Sequence, residues 1–284
     1  MSDPTVDADL LRIPVGPGAV HVERYGHGGP AIVLLHGFGT SSFLWRTVAP
    51  ALAVARRSAF AIDMMGYGES DRPFGEDFGI AAQAEYIDRA MTALRLPRAT
   101  VVGVDVGGGV ALRLAATRPE RVDRLILVNP LAFDELPAGD VKAMQRNTAR
   151  FALRATRGIL GAAPLLSPVL EGSVADPAHM PQRLVARYLA PYVGKDGVSH
   201  LLLLGRSIRA NDLEDLDLGR ISAPTLIIWG DLDGWSEPSL PDRLATAIRH
   251  SRLVRIDTAA RLVPEDEPDR LAELLIDFTS ATAG

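Results

Sequence analysis

The sequence predicts an α/β protein whose mostly parallel, doubly wound sheet is interrupted by one inserted helical segment. Short apolar runs typical of strands buried on both faces alternate with helical patterns, an arrangement that builds parallel sheets. One of these runs passes through a glycine-rich turn straight into a helical pattern. Strand patterns then disappear over residues 134–218, where helical spacing punctuated by prolines takes over.

The composition limits the class of protein. With 284 residues, 47% hydrophobic and 23% charged, the chain can bury a large core and is ordinary for a globular protein. The net charge of -5 argues against a nucleic-acid partner, and the absence of cysteine excludes disulfides and thiolate chemistry. Residues 1–11 lack the apolar run of a signal peptide, and no stretch approaches a membrane span. We therefore expect a cytoplasmic protein without membrane contact.

The predicted elements follow one another along the chain. Residues 11–15 and 19–25 flank the turn Gly16-Pro17-Gly18 and predict a β-hairpin. Two strands, a helix and a further strand then lead to the glycine-rich turn, at 31–35, 58–62, 78–94 and 97–104. Beyond it we expect three more strands and a closing helix, at 122–128, 224–229, 252–256 and 271–278.

The glycine-rich turn has the pattern of a nucleophile elbow. Gly103 and Gly107 lie two positions before and after Asp105, where a side chain would collide with the neighbouring strand or helix. Such a turn holds its central residue in a strained backbone conformation, here Asp105. The alternative interpretation is an ordinary glycine-rich turn between a strand and a helix.

Two further motifs stand at strand ends. His36-Gly37-Phe38-Gly39 follows the strand at 31–35, and residues 63–71 read D-x-x-G-x-G-x-S-D. With the Gly-x-Asp-x-Gly turn, they resemble the α/β-hydrolase superfamily, in its aspartate-nucleophile branch of epoxide hydrolases and haloalkane dehalogenases. The resemblance covers nearly the whole chain. It implies an α/β-hydrolase core at 1–133 and 219–284, with a helical cap at 134–218.

The resemblance assigns roles to residues beside the elbow. It implies that Asp105 is the nucleophile or an acid/base, and that the backbone N–H groups of Phe38 and Val106 form the oxyanion site. The substrate-binding positions predicted with them are His36, Trp45, Val104 and Trp235. For His36 the family's usage favours the other interpretation, a structural histidine that braces its loop.

The catalytic histidine of the family is missing. The family pattern W-G-x-x-D places the orienting acid at Asp233, with Asp231 the second choice. Leu262-Val263-Pro264-Glu265 and Pro268 then align Arg261 with the histidine position. Arginine stays protonated and has no lone pair with which to take a proton from water. We expect it to form a fixed ion pair with Asp233 or Asp105.

Other residues are candidates for the missing base or for an acid, or distinguish this chain from parts of the family. A cap histidine, His179 or His200, is one alternative base. Epoxide hydrolases use cap tyrosines as acids, and this cap offers Tyr188 and Tyr192, for which the alternative is simple packing. Val106 stands where dehalogenases carry a halide-binding tryptophan, and Gly39 replaces the usual proline of the epoxide-hydrolase loop.

Three functional hypotheses remain open at this point. The leading one is an epoxide-hydrolase-like enzyme that acts on a small, largely apolar substrate through Asp105, Asp233 and Arg261. The second is a non-hydrolytic enzyme, a lyase, isomerase or cyclase, in which Asp105 moves a proton. The third is a degenerate hydrolase that only binds a ligand. No residues have metal-ligand or phosphate-loop spacing, so we predict no cofactor, and the oligomeric state stays open.

Overall fold

The fold is built on one eight-stranded sheet. The computed structural model describes residues 7–133, 161–209 and 211–280. The strand order is β1-β2-β4-β3-β5-β6-β7-β8. The strands are β1 (Asp9–Pro14), β2 (Ala19–Tyr25), β3 (Ala31–Leu35), β4 (Ser58–Ile62), β5 (Ala99–Val104), β6 (Val122–Val128), β7 (Thr225–Gly230) and β8 (Ser251–Ile256).

The sheet is parallel except at one edge. β1 and β2 form the predicted hairpin and join β4 antiparallel, whereas the pairs from β4 to β8 are all parallel. All six residues of β5 and of β7 are buried, as the continuous apolar runs predict. The mostly parallel, doubly wound α/β fold is therefore confirmed.

Helices fill the connections between the strands. α2 packs against α3, and α1 packs against the closing helix α9. The described helices are α1 (Val48–Val54), α2 (Ile80–Ala93), α3 (Val106–Thr117), α4 (Ala163–Glu171), α5 (Gln182–Leu189), α6 (Gly194–Ser207), α7 (Leu240–Ala247), α8 (Val263–Asp266) and α9 (Pro268–Ser280).

The inserted segment is helical where the structure describes it. Between residues 161 and 218 the regular elements are α4, α5, α6 and short 3-10 turns. Residues 134–160, the first part of the expected cap, lie outside the described residues. The division into a core at 1–133 and 219–284 with a cap at 134–218 stays a prediction.

No helix within the described ranges is both long enough and apolar enough to cross a membrane.

Candidate active site

The elbow has the geometry that its glycines predict. Asp105 lies between β5 and α3 with φ 53° and ψ -117°, a conformation that costs a non-glycine residue free energy. A Cβ on Gly103 would lie 2.2 Å from the carbonyl oxygen of Gly107. A Cβ on Gly107 would lie 2.4 Å from the carbonyl oxygen of His36. Neither position admits a side chain, so the packing of this turn requires both glycines.

The carboxylate of Asp105 is buried and oriented from one side. Its residue is 4% exposed, and the backbone N–H of Phe38 donates to Oδ2 at 2.9 Å. Val106 is the first residue of α3, where an N–H has no acceptor within the helix. Of the predicted oxyanion donors, the Phe38 N–H thus binds Asp105 itself, and the Val106 N–H follows Asp105 directly in the chain. Oδ2 accepts the hydrogen bond of the Phe38 N–H, and Oδ1 faces Arg261.

Arg261 bridges two carboxylates. Its Nη1 lies 3.5 Å from Oδ1 of Asp105, and its Nε lies 3.5 Å from Oδ1 of Asp233. Nη2 donates to the hydroxyl of Ser236 at 3.2 Å. Only 2% of Arg261 is exposed, so its permanent charge acts in a medium that screens it weakly. The sequence predicted a pair with one aspartate or the other, and the structure places Arg261 between both.

Asp233 is held in place by polar contacts of its own. The Asn129 side-chain amide donates to Oδ2 at 3.2 Å, and the Trp235 N–H donates to Oδ1 at 2.9 Å. Asn129 also accepts from the N–H of Gly230 at 2.8 Å, which ties the ends of β6 and β7 together. The second choice for the acid, Asp231, instead pairs with Arg255 at the surface. Asn129 was not predicted as a site residue; its only sequence signal is a polar residue at the end of a buried strand.

His36 has the contacts of a bracing residue. Its Nδ1 donates to the carbonyl oxygen of Gly37 at 2.8 Å, and its Nε2 accepts from the N–H of Met64 at 3.1 Å. Burial lowers the pKa of His36 against the opposing charge of Asp63, which favours the neutral ring that both bonds require. His36 therefore joins the oxyanion loop to the loop after β4.

The two predicted tyrosines have different surroundings. The Tyr188 hydroxyl donates to Glu265 and lies 3.5 Å from Nη1 of Arg46. The Tyr192 hydroxyl is buried and has no hydrogen-bond partner within the described ranges. Burial raises the pKa of Tyr192, so its proton stays in place at neutral pH. Of the two, Tyr192 alone has a hydroxyl available to a ligand.

Tyr67 is a candidate that sequence reasoning missed. It is fully buried, packs edge-on against His36 and Phe38, and its hydroxyl also lacks a hydrogen-bond partner among the described residues. Burial, followed by the charges of Tyr192 and Asp105, raises the pKa of Tyr67. Tyr67 lies within the D-x-x-G-x-G-x-S-D motif, at one of its variable positions, so the motif gave no signal for this residue.

His179 and His200, the two histidines of the expected cap, form hydrogen bonds away from Asp105. Nδ1 of His179 lies 2.8 Å from Oδ1 of Asp266, and Nε2 of His200 donates to the carbonyl oxygen of Gly66 at 2.6 Å. Burial lowers the pKa of His200. In these positions neither histidine contacts Asp105, and the alternative of a cap histidine as base gains no support.

The remaining predicted binding residues, Val104, Trp45 and Trp235, have different surroundings. Val104 is the buried last residue of β5, and Trp45 is buried with its Nε1 unpartnered in the described part of the chain. Trp235 lies with its ring centre 6.0 Å from the Arg261 guanidinium carbon and donates from Nε1 to Gly172 at 2.9 Å. Their contact with a substrate stays a prediction.

A metal-dependent site is not formed by the described residues. Within ranges 7–133, 161–209 and 211–280, no group of three His, Asp or Glu side chains is arranged to hold a metal ion.

The elbow, the oxyanion loop and the parallel sheet together define the class. The family model described as alpha/beta hydrolase fold matches residues 30–268. The chain belongs to this family, as the motifs predicted.

Several similar proteins are named as hydrolases or dehalogenases. Haloalkane dehalogenase 2 of Mycobacterium tuberculosis is 29% identical over 275 residues, covering 92% of this chain and 91% of the relative. The crystal structure of Cfl2 from Burkholderia cenocepacia superposes with a TM-score of 0.84 at 26% identity, covering 97% of both chains. The epoxide hydrolase CorEH superposes with a TM-score of 0.80 over 96% of this chain and 99% of its own, and at 19% identity it shows the fold alone.

A further similarity is local. The uncharacterised protein Rv2715 of Mycobacterium tuberculosis is 42% identical over 106 residues, which is 37% of this chain and 30% of that protein. The match therefore spans about a third of each of the two chains.

Proposed function

We propose that the protein is an enzyme that attacks carbon in a small, largely apolar epoxide or alkyl halide with Oδ1 of Asp105. The main support is the orientation of that carboxylate. The Phe38 N–H binds Oδ2 at 2.9 Å and Oδ1 faces Arg261 at 3.5 Å, so we assign the attack to Oδ1. Relatives that include a haloalkane dehalogenase are consistent with attack on carbon.

Ring opening of an epoxide needs a proton for the departing oxygen. In the proposed step, Oδ1 bonds to carbon, the carbon–oxygen bond breaks, and the new alkoxide takes the Tyr192 hydroxyl proton. A phenol suits this role because it stays neutral at pH 7 yet is far more acidic than an alcohol. The Tyr67 hydroxyl offers a second donor. Without a ligand, each buried unpaired hydroxyl costs about 1–3 kcal/mol, which a substrate oxygen would recover.

Arg261 affects the second step of a hydrolytic cycle, in which water hydrolyses the ester. The product of the attack is an ester of Asp105, and a water must be deprotonated to hydrolyse it. Arg261 occupies the position of the base but cannot accept a proton. We therefore expect the ester to accumulate.

Intact-protein mass spectrometry after incubation with a panel of epoxides and alkyl halides tests this proposal. The expected result is a protein heavier by one epoxide, or by one alkyl group less a proton. The adduct should be absent from the Asp105→Asn variant. An adduct on the variant as well, or none on either protein, would contradict the proposal.

A second candidate is a non-hydrolytic reaction, favoured by the position of Arg261 between two buried carboxylates. In an isomerisation, Asp105 would take a proton from one carbon and return it to another, with no water consumed. Product analysis in heavy-oxygen water separates the two: hydrolysis introduces solvent oxygen, and isomerisation does not. A ligand that binds without adduct or product would instead support the degenerate, binding-only alternative.

A further inference from the structure

A cavity lies apart from Asp105, between the turn before α1, α8 and the segment around α5. Its volume is about 490 Å³, within the range of small-molecule sites. Its lining residues include Phe43, Arg46, Arg183, Leu184, Arg187 and Glu265. The cavity includes neither Asp105, Asp233 nor Arg261.

The charge of this cavity is positive. Three arginines line it against one carboxylate. That carboxylate, Glu265, is bound by Nη1 and Nη2 of Arg46 at 2.7 and 2.6 Å, which neutralises this pair. Arg183 and Arg187, one turn apart on α5, have no carboxylate partner within the described ranges. Arg183 and Arg187 therefore line the cavity without an ion-pair partner among the described residues. Arg187 also borders a neighbouring cleft that contains Glu23, Asp63 and Glu69.

An aromatic ring orders one of these guanidinium groups. The guanidinium carbon of Arg187 lies 5.2 Å from the ring centre of Phe43, and that of Arg46 lies 4.5 Å from the same ring. A guanidinium on an aromatic face retains its outward N–H donors. Phe43 thus holds a fork of donors at the cavity wall, where a planar carboxylate can accept two hydrogen bonds.

The rest of the wall is apolar. Ala178, Pro181 and Leu184 join the Phe43 ring in providing hydrocarbon surface beside the arginines. His179 adds no net charge to this wall, because Asp266 lies 2.8 Å from its Nδ1 and balances the protonated ring, as Glu265 balances Arg46. A ligand that satisfies both surfaces needs an anionic head and an apolar body.

We propose that this cavity binds an amphipathic monocarboxylate, with the carboxylate on Arg183 and Arg187 and the hydrocarbon against Leu184 and Phe43. The site is separate from the reaction at Asp105 and does not rest on the function proposed there. The class of ligand follows from the guanidinium groups of Arg183 and Arg187, which have no ion-pair partner among the described residues, and from the adjoining apolar wall.

Isothermal titration calorimetry with octanoate tests the assignment, with octanol as the neutral comparison. The parent protein should bind octanoate more tightly than octanol, and added salt should weaken octanoate binding alone. The double variant Arg183→Gln/Arg187→Gln should lose about tenfold or more in affinity for octanoate. Both arginines are exposed, so the variant should keep the fold.

The matched control is Arg249→Gln/Arg252→Gln, which removes the same charge from exposed positions outside the cavity. It should bind octanoate as the parent does. Equal losses in the two double variants would reveal a general charge effect and overturn the proposal. Undiminished binding to the Arg183→Gln/Arg187→Gln variant, or equal binding of octanol and octanoate, would overturn it too.

Discussion

Two arginine–carboxylate clusters each take one member from the short segment 261–265, and they differ in geometry. The Asp105 cluster comprises Asp105, Arg261 and Asp233; the Glu265 cluster comprises Arg46, Glu265 and Tyr188. In the Glu265 cluster the guanidinium binds both carboxylate oxygens, at 2.7 and 2.6 Å. In the Asp105 cluster Arg261 approaches each aspartate at 3.5 Å, beyond the about 2.7–2.9 Å of a strong charged hydrogen bond.

The difference separates a structural pair from a reactive one. A bidentate pair uses the lone pairs of its carboxylate, which suits a structural joint between the turn before α1 and α8. The looser approach of Arg261 balances charge but constrains the oxygen less, so Oδ1 of Asp105 can still approach a substrate carbon. Backbone strain at Asp105 accompanies the second arrangement and is typical of functional positions.

The largest effect should come from the Asp105 cluster. Replacing Asp105 with Ala removes the attacking oxygen, so the rate of adduct formation should fall by at least about 10⁴-fold. The melting temperature should change little, because Arg261 keeps Asp233 as a partner. Time-resolved mass spectrometry and thermal unfolding measure the two quantities. A variant that still forms adduct at the parent's rate would remove Asp105 from the chemistry.

Arg261→His should produce the next largest change. A histidine paired with Asp233 can deprotonate water, and general-base catalysis is worth about 10²–10⁴-fold. Hydrolytic turnover of the substrate that forms the adduct should rise by at least about 100-fold, while the adduct disappears. Arg261→Gln is the control, since it removes the charge without adding a base. Equal turnover in both variants would mean that the missing base is not what limits hydrolysis.

Breaking the Glu265 cluster should affect stability rather than reaction. Glu265→Gln leaves Arg46 without its charged partner. Loss of one partner of a buried pair costs about 3–5 kcal/mol. Because a third of the Arg46 side chain is exposed (32%), we expect about 2 kcal/mol in the free energy of unfolding. Urea unfolding measures this loss. Adduct formation should keep the parent's rate; a large drop in that rate would instead link this cluster to the chemistry.

The smallest effect should depend on pH. The hydrogen bond to Asp266 raises the pKa of His179, so the folded state favours the protonated ring. The stabilisation is therefore complete below the unfolded pKa of about 6.5, and it is lost as the pH rises through the higher folded value. His179→Gln should cost about 0.5 kcal/mol at pH 5.5, because the ring is partly exposed, and less at pH 9. A loss that grows with pH would contradict this pairing.

Local patterns were sufficient for the sheet and the elbow. Apolar runs such as 31–35 and 122–128 predict β3 and β6 with their observed ends, since buried parallel strands need continuous hydrophobic residues. The glycines around Asp105 are likewise a local requirement, because the turn excludes any Cβ there. The closing helix α9 is longer at both ends than the apolar pattern indicated, since its exposed ends carry polar residues.

Chain-distant contacts decided the site. The sequence could align Arg261 with the missing histidine and offer two aspartates as partners, but only the packing of β5, β7 and the last loop sets Arg261 between them. The sequence does not distinguish Tyr188 from Tyr192, yet only the Tyr188 hydroxyl donates a hydrogen bond to Glu265, which lies 77 residues away along the chain. Backbone turns and buried strands are determined by neighbouring residues, whereas the partner of a buried polar group depends on which distant segments fold against it.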